Sequence, residues 1–451
     1  MGIFPTRRRT FITAGGLAGI SLLAVGCSEG TSVGAAQEEP TGTVDGTGDV
    51  TGTVRAAWWG SAPRHEATNA VIDLFEAAND GVTVEREYAE FGAHFERLNV
   101  QGSSGNMPDL PQLQGRQLND YTSRNLLLPL DPMIESGAIN LDGIPAEVVD
   151  TGRGPDGNLY MVPYGAAYDA LIVNETLAEE SGVGLPPEGY TWEDFFGWAT
   201  ELQSGLPEGV TAVGLGGGRP NFLISYVAGQ GKNLFEGEKL GFTQEELTEY
   251  WDKWEELRAA GVTVTPQQSS EMPDAPDQSY VAQGSVVADT APGNALTGAQ
   301  DTLDGTGTGQ KLTTLPLPSG PAGSGNVLFT SGFSIAATSS NVPTAAAFIN
   351  FWANDDEAAA VFASNNGAVT NTRHLEQQLE NPDLPPLRKH DLELYGKIAE
   401  AEPPTVIYPP GYQAVFEDAY IRAYESVTFG GGSTQDAAAA FFAEVESSLA
   451  G

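Results

Sequence analysis

Eight consecutive residues, Trp58-Trp59-Gly60-Ser61-Ala62-Pro63-Arg64-His65, bring two indoles, a guanidinium and an imidazole to the point where a strand-like run gives way to a helical pattern. Related groups recur at the ends of later strand-like runs. Gln114 and Arg116 stand in QGRQ, Tyr164 and Tyr168 in PYGAAY, Arg219 and Asn221 in GGRPNF, Asn294 in APGN and Tyr412 in PPGY. A sugar presents apolar C–H faces and hydroxyl edges, so a site for it needs flat rings beside side chains that both donate and accept hydrogen bonds. These residues supply both. In an open α/β sheet, ligands bind in the crevice at the carboxyl ends of the strands, which is where the residues fall. Alternation lets only one indole of the pair face a given side of the sheet, and the expectation is that Trp58 packs while Trp59 points toward the cleft.

Catalytic motifs are weak by comparison. Gly332-Phe333-Ser334-Ile335-Ala336 ends in Ala, which breaks a nucleophile elbow. His65-Glu66-Ala67-Thr68-Asn69 lacks the second His of a zinc-protease helix, and four His with one Cys leave little for a zinc cluster. In Gly214-Leu215-Gly216-Gly217-Gly218 the sixth position of a dinucleotide loop is Arg219. Counting cannot dismiss a carboxylate pair for glycoside hydrolysis among 60 acids, but the eight βα repeats of a common hydrolase barrel are not visible. The reading is of a binder with no cofactor and no metal.

The elements that must position these groups are legible in outline. Thr53 to Trp59 reads as a strand, His65 to Ala78 as a helix with Val71, Leu74, Phe75 and Ala78 at helical spacing, and Val82 onward as a second strand. A helix is predicted around His94 to Gln101 and another around Leu118 to Leu126. The alternation argues for a largely parallel α/β sheet covered on both faces. Thr191-Trp192-Glu193-Asp194 and Thr243-Gln244-Glu245-Glu246 each look like an acid-bearing helix start, and Tyr250, Trp251 and Trp254, three and four apart, read as core. The chain carries 21 Lys and Arg against 60 Asp and Glu, a formal net charge of −39, which repels nucleic acid and anionic lipid headgroups.

The single thiol follows an export pattern. Arg7-Arg8-Arg9 precedes an apolar run from Phe11 to Val25, too short and Gly-rich to span a membrane, and Cys27 comes directly after it. Arg8-Arg9-Thr10-Phe11-Ile12 resembles a twin-arginine signal, and Ala24-Val25-Gly26-Cys27 resembles a bacterial lipobox, in which the thiol is lipidated. Residues 1–26 then form the signal. Residues 27–53, rich in Gly, Thr, Ser and acids, form a lipidated cysteine with a flexible tether.

The order of motifs along the mature chain resembles the bacterial solute-binding lipoproteins of ABC importers, in the class that includes the maltose-binding protein. The resemblance is carried by WWGSAPRHEATNAVIDLFEAANDGVTVE, MPDLPQLQ, GNLYMVPYGAAYDALIVNETL, YTWEDFFGWATEL and FTSGFSIAA followed by AAAFINFWAN. It implies an α/β, two-lobe periplasmic-binding-protein-like fold with a multi-strand hinge and a ligand cleft between the lobes. The implied lobes are 54–162 with 330–375, and 163–329 with 376–451. The implied ligand-binding residues are Trp59, Arg64, His65, Gln114, Arg116, Tyr164, Tyr168, Asn221, Asn294 and Tyr412. Where the hinge of the family often carries an acid that binds hydroxyls, this chain has Ala167, with Asp169 two residues later. The implied partners are a carbohydrate ligand and the transmembrane subunits of an ABC permease, with the protein a monomer held on the outer face of the membrane by its lipid. Two other readings stay open: a binder of an anionic solute such as a glycerophosphodiester, using Arg64, Arg116 and Arg219, and a lipid-anchored glycan-degrading enzyme.

Overall fold

Val54 and Ala56 are buried along the first strand, β1 (Gly52–Trp59), and in β2 (Val82–Ala89) the buried Val82 and Val84 alternate with exposed Thr83 and Glu85. That period of two fixes which side of each strand meets the core. A computed structural model describes residues 44–273 and 275–450; the signal motifs and Cys27 lie outside the described residues. Between the two strands runs α1 (Ala62–Ala78), which opens one turn earlier than the hydrophobic spacing implies because Pro63 sits in its first turn. Then follow α2 (Phe91–Ser103), β3 (Leu110–Gln114), α3 (Gly115–Thr122) and β4 (Val162–Asn174).

β4 is the longest strand, and it joins two halves. Its first part pairs with β8 (Leu328–Phe333) and β9 (Ala368–Val369), and its second with β6 (Val286–Pro292) and β7 (Leu312–Pro316). β5 (Thr211–Val213) completes the order β2-β1-β3-β8-β4-β6-β5. The expected predominance of parallel pairing is not what forms. β1 pairs in parallel with β2 and β3, and β5 with β6, but every partner of β4 is antiparallel, as is β3 to β8. The chain returns to lobe 1 through β8 beside β4, and a strand that brings the chain back runs against its neighbour.

Among the described residues, three hydrophobic clusters flank this crossing, one of them, with Leu98, Leu113 and Tyr121, on the far face of lobe 1. The one containing Val54, Phe75, Tyr164, Phe348 and Trp352 belongs to lobe 1, and that containing Trp192, Phe222, Trp251, Trp254 and Tyr420 to lobe 2. Along β4, Ala170 joins the cluster of Val54 and Leu171 that of Trp192. The expected boundaries put residues 376–451 in lobe 2, yet Leu392, Tyr395 and Ile398 of a helix spanning Pro386–Glu400 belong to the lobe 1 core. The end of the expected tether is not loose either. The Ser136 hydroxyl donates to the Asp45 carbonyl at 2.6 Å, and the Thr51 N–H donates to Thr344 Oγ1 at 3.1 Å, so residues 44–53 lie along lobe 1.

Lobe 2 is organised by α4 (Trp192–Gly205), α5 (Pro220–Gly229) and α6 (Gln244–Ala259). Thr191 and Thr243 both make full capping boxes, with Asp194 and Glu246, each worth about 1 kcal/mol. The aromatic series of α6 is core: Tyr250, Trp251 and Trp254 are all buried, and the Trp251 indole N–H donates to both the Gly217 carbonyl and the Tyr420 hydroxyl at 3.0 Å. Trp251→Ala leaves a large cavity and removes two hydrogen bonds, although the Tyr420 hydroxyl still donates to the Gly217 carbonyl, so it should lower stability by about 3–5 kcal/mol. Chemical denaturation of the variant checks this; an unchanged midpoint would contradict the assignment of Trp251 to the core.

Candidate functional site

The cleft between the lobes narrows to a cavity of ≈ 190 Å³ where β3, β4, β8 and two loops converge. Gln114 reaches it from the end of β3, Asn294 from the turn after β6, Phe329 and Ser331 from β8, and Asn366 from the loop before β9. Gly165 and Gly367 let two backbones meet at its floor. A Cβ on Gly165 would lie 2.2 Å from the Asn366 carbonyl oxygen, and Gly367, at φ +91°, would bring one within 2.4 Å of the Ala166 carbonyl. The lining is thus two carboxamides from lobe 1, one from lobe 2, a hydroxyl and a ring. Each amide can donate and accept at once.

A charged cluster lies next to it. Arg116, in the first turn of α3, faces Asp169 of β4 at 3.5 Å and Glu417 at 3.6 Å, and its guanidinium donates to Asn221 Oδ1 at 3.4 Å. Asn221 Nδ2 in turn donates to Asp169 Oδ1 at 3.0 Å. The guanidinium carbon stands 4.7 Å from the centre of the Phe329 ring, a cation–π contact that also fixes that ring beside the cavity. Burial opposes the charge on Arg116, but Tyr408, Tyr412, Asp169 and Glu417 around it hold its pKa above the ordinary value. Burial also pushes the Asp169 carboxyl up to about 6, with Arg116 pulling it back and Glu417 adding to the rise. Two backbone contacts join the lobes alongside: the Asn119 amide donates to the Tyr408 carbonyl at 2.7 Å, and the Gly411 N–H donates to Asp120.

The structure brings Gln114, Arg116, Asn221 and Asn294 together at the cleft, and places the other expected residues around it. Trp59 does not point into the cleft as alternation implied. Its ring is buried against Phe91, His94 and Phe95 of α2, while Trp58 is buried on the opposite face. Both faces of the sheet are covered, so both indoles find a core. His65 is committed to Trp58, whose indole N–H donates to His65 Nδ1 at 3.1 Å, and stacks on Tyr88. Arg64 lies over Gly60, whose φ of +155° suits a residue with no side chain there, and donates to the Asn365 carbonyl at 3.1 Å. Tyr168 donates to Asp391 Oδ1 at 3.0 Å, and its ring packs under Gly293. Tyr412 is buried in a stack with Phe416, behind Arg116.

Tyr164 acts at one remove. The Trp59 backbone N–H donates to Gln112 Oε1 at 2.9 Å, Gln112 donates through Nε2 to the Tyr164 hydroxyl, and Asn366 Nδ2 donates to that same hydroxyl at 3.4 Å. The chain of bonds holds Asn366 at the cavity wall. Sequence reasoning missed Phe329, Ser331, Asn366 and Glu417. The first two lie inside a strand that reads as hinge core; the only local signal for Asn366 is the Asn-Asn-Gly loop that carries it.

The family model described as bacterial extracellular solute-binding protein matches residues 70–382. The chain belongs to that family. Among solved structures, it is similar to an extracellular solute-binding protein, family 1, from Alicyclobacillus acidocaldarius, with a TM-score of 0.71 and 22% identity, covering 90% of this chain and 100% of that one. It is also similar to the GacH receptor of Streptomyces glaucescens, solved unliganded and with acarbose, at a TM-score of 0.67 and 20% identity over 89% and 99% of the two chains. A periplasmic oligogalacturonide binding protein from Yersinia enterocolitica gives a TM-score of 0.73 at 17% identity over 88% and 99%. A curated relative, a protein of Brucella abortus named as a binding protein, is 28% identical over 137 residues, 30% of this chain; the match spans 31% of that relative's length. The fold shared with these structures is the two-lobe α/β architecture described above.

A pH dependence follows from Asp169. A carboxyl held near 6 with Arg116 and Glu417 packed around it, and near 3.9 where parting of the lobes lets water reach it, binds more protons with the lobes together than apart. Closure is therefore favoured as pH falls from about 7 toward 4, and that advantage is lost as pH rises through about 6. Small-angle scattering of the ligand-free protein should show compaction between pH 7.5 and 5.5, and Asp169→Asn should remove the trend. A wild-type profile that is flat, or that expands over that range, would contradict it.

Proposed function

We propose that this solute-binding protein captures a neutral saccharide in the cavity between its lobes and delivers it to the permease of an ABC importer. One observation carries the choice of a neutral ligand. The three cations that an anionic solute would need are each engaged within the protein: Arg64 with the Asn365 carbonyl, Arg116 with Asp169 and Glu417, and Arg219 with Asp289 at 3.3 Å. What remains open to a ligand is carboxamide, hydroxyl and ring, the chemistry that suits sugar hydroxyls and C–H faces. The acarbose-bound receptor and the oligogalacturonide binder, similar in fold, support saccharide as the class. Phe329 is the stacking ring, and Gln114, Asn294 and Asn366 are the hydrogen-bonding groups, with Arg116 and Asn221 closing the lobes over them. Family membership supports a binder over a glycan-degrading enzyme.

Calorimetric titration with neutral malto-oligosaccharides tests this reading. Affinity should be nearly unchanged between about 50 and 300 mM salt, since no net charge is paired on binding. Phe329→Ala should weaken it at least about tenfold, the loss of about 1.4 kcal/mol of ring contact. A steep salt dependence, together with unaltered binding by Phe329→Ala, would favour the anionic solute instead.

The lipobox-like segment supports a position on the outer face of the membrane with Cys27 as the lipid tether; among the described residues no helix is long and apolar enough to cross a membrane. Cys27→Ser should move the protein from the membrane to the soluble fraction with its ligand affinity intact. Equal membrane retention of the two forms on fractionation would count against lipidation.

A further inference from the structure

A groove of ≈ 1060 Å³ on lobe 2, between α4 and α6, is larger than the ≈ 190 Å³ cleft cavity and has no residue of lobe 1 in its lining. Phe196 and Tyr226 form its floor and are only partly buried, above Trp192 and Tyr250; Trp192 lies 5.8 Å from each of the two floor rings and 6.0 Å from Tyr250, and Tyr250 lies 4.8 Å from Tyr226. A soluble protein has no packing reason to leave such rings uncovered between two helices.

The walls have a helical beat. On α4 the facing positions step from Glu193 through Gly197 to Glu201, and on α6 from Tyr250 through Lys253 and Leu257, three and four residues at a time. Over the ten helical steps from Tyr250 to Ala260 that is about 15 Å of groove. Gly197 is the position that opens it. A glycine inside a helix costs about 1 kcal/mol relative to Ala, and here a Cβ would meet nothing within 4 Å, so no internal contact requires its absence. Bare backbone at the middle of the wall lets another backbone approach closely. The rim is acidic: Glu193, Glu201 and Glu256 are exposed, and the single Lys253 is already paired with Glu256 at 2.9 Å. The turn at Ser319–Pro321 closes one end, and the Trp192 indole N–H beside it has no partner among the described residues.

We infer that this groove is a docking site for an amphipathic helix of a partner protein, two to three turns long, with an apolar face of small and aliphatic residues and basic flanks. Length and periodicity come from the walls, the small residues from the bare stretch at Gly197, and the basic flanks from the glutamate rim. A helix seated there leaves the cleft and its closure unobstructed, so the inference stands apart from the identity of the transported solute.

The test uses the full-length protein and a fluorescein-labelled, amidated 14-residue peptide with Leu and Ala at helical spacing and Lys on both flanks. A scrambled peptide of identical composition keeps the charge and breaks the stripe. In fluorescence anisotropy at about 150 mM salt, the striped peptide should bind at least tenfold more tightly than the scrambled one. Gly197→Leu, which fills the groove, and Glu201→Lys, which reverses an exposed rim charge, should each weaken it at least fivefold without changing saccharide affinity in the cleft. Should Gly197→Leu fail to fold, the exposed Glu201→Lys decides alone. Equal binding of the two peptides, or wild-type binding by the variants, would overturn the inference. So would binding of maltotetraose at a second site that Gly197→Leu abolishes, which would make the groove a saccharide site.

Discussion

A guanidinium largely removed from water is tolerable only where its charge is answered. Arg116 is in that position, and the groups that answer it do not belong to its own lobe. It rises from α3 of lobe 1, while Asn221 and Glu417 belong to lobe 2 and Asp169 to the strand that crosses between them. Bringing the lobes together and satisfying this charge are therefore one event. The same contact presses Phe329 into place beside the cavity, so the cation that closes the cleft also aligns the ring that a ligand would meet. An arginine spent in this way is not free to bind an anion, and the electrostatics of closure thereby bias the choice of solute.

Around that contact the rest of the structure supplies stiffness. The bonds that run from the Trp59 backbone through Gln112 and Tyr164 to Asn366 hold one wall, and the Tyr168 hydroxyl on Asp391, itself paired with Arg388 at 2.6 Å, holds the hinge strand from beneath. Asn326 donates to the Asp169 carbonyl at 2.8 Å and fixes the backbone from which that carboxylate projects. With the cores packed and the hinge strands bonded this way, a rigid-body swing of one lobe against the other requires change only at a few backbone positions where the chain passes between them.

Much of this was legible in the sequence. The two Thr-led capping boxes, the β1-α1-β2 unit and the aromatic core of α6 follow from local chemistry and period, which depend on few residues. The order of motifs implied the family and the placing of Gln114, Arg116, Asn221 and Asn294 at the cleft. The orientation of Trp59 was not legible, because alternation separates the two faces of a strand without saying that a helix covers each. Nor was Glu417. It is carried inward by a π-helical turn, Gln413–Glu417, that widens the backbone before the helix beginning at Asp418 and shifts the side-chain register in a way no spacing rule shows. The antiparallel pairing about β4 escaped for a related reason, since direction is set by how the chain returns between lobes and not by the composition of any strand.

The most direct test is a distance measured across the cleft. With Cys27 changed to Ser, new cysteines in place of the exposed Glu96 of lobe 1 and Lys253 of lobe 2 can carry spin labels for double electron–electron resonance. If Arg116 is the charge that holds the lobes together, Arg116→Met should shift the ligand-free distribution toward a longer separation. Identical distributions for the variant and its parent would contradict the account.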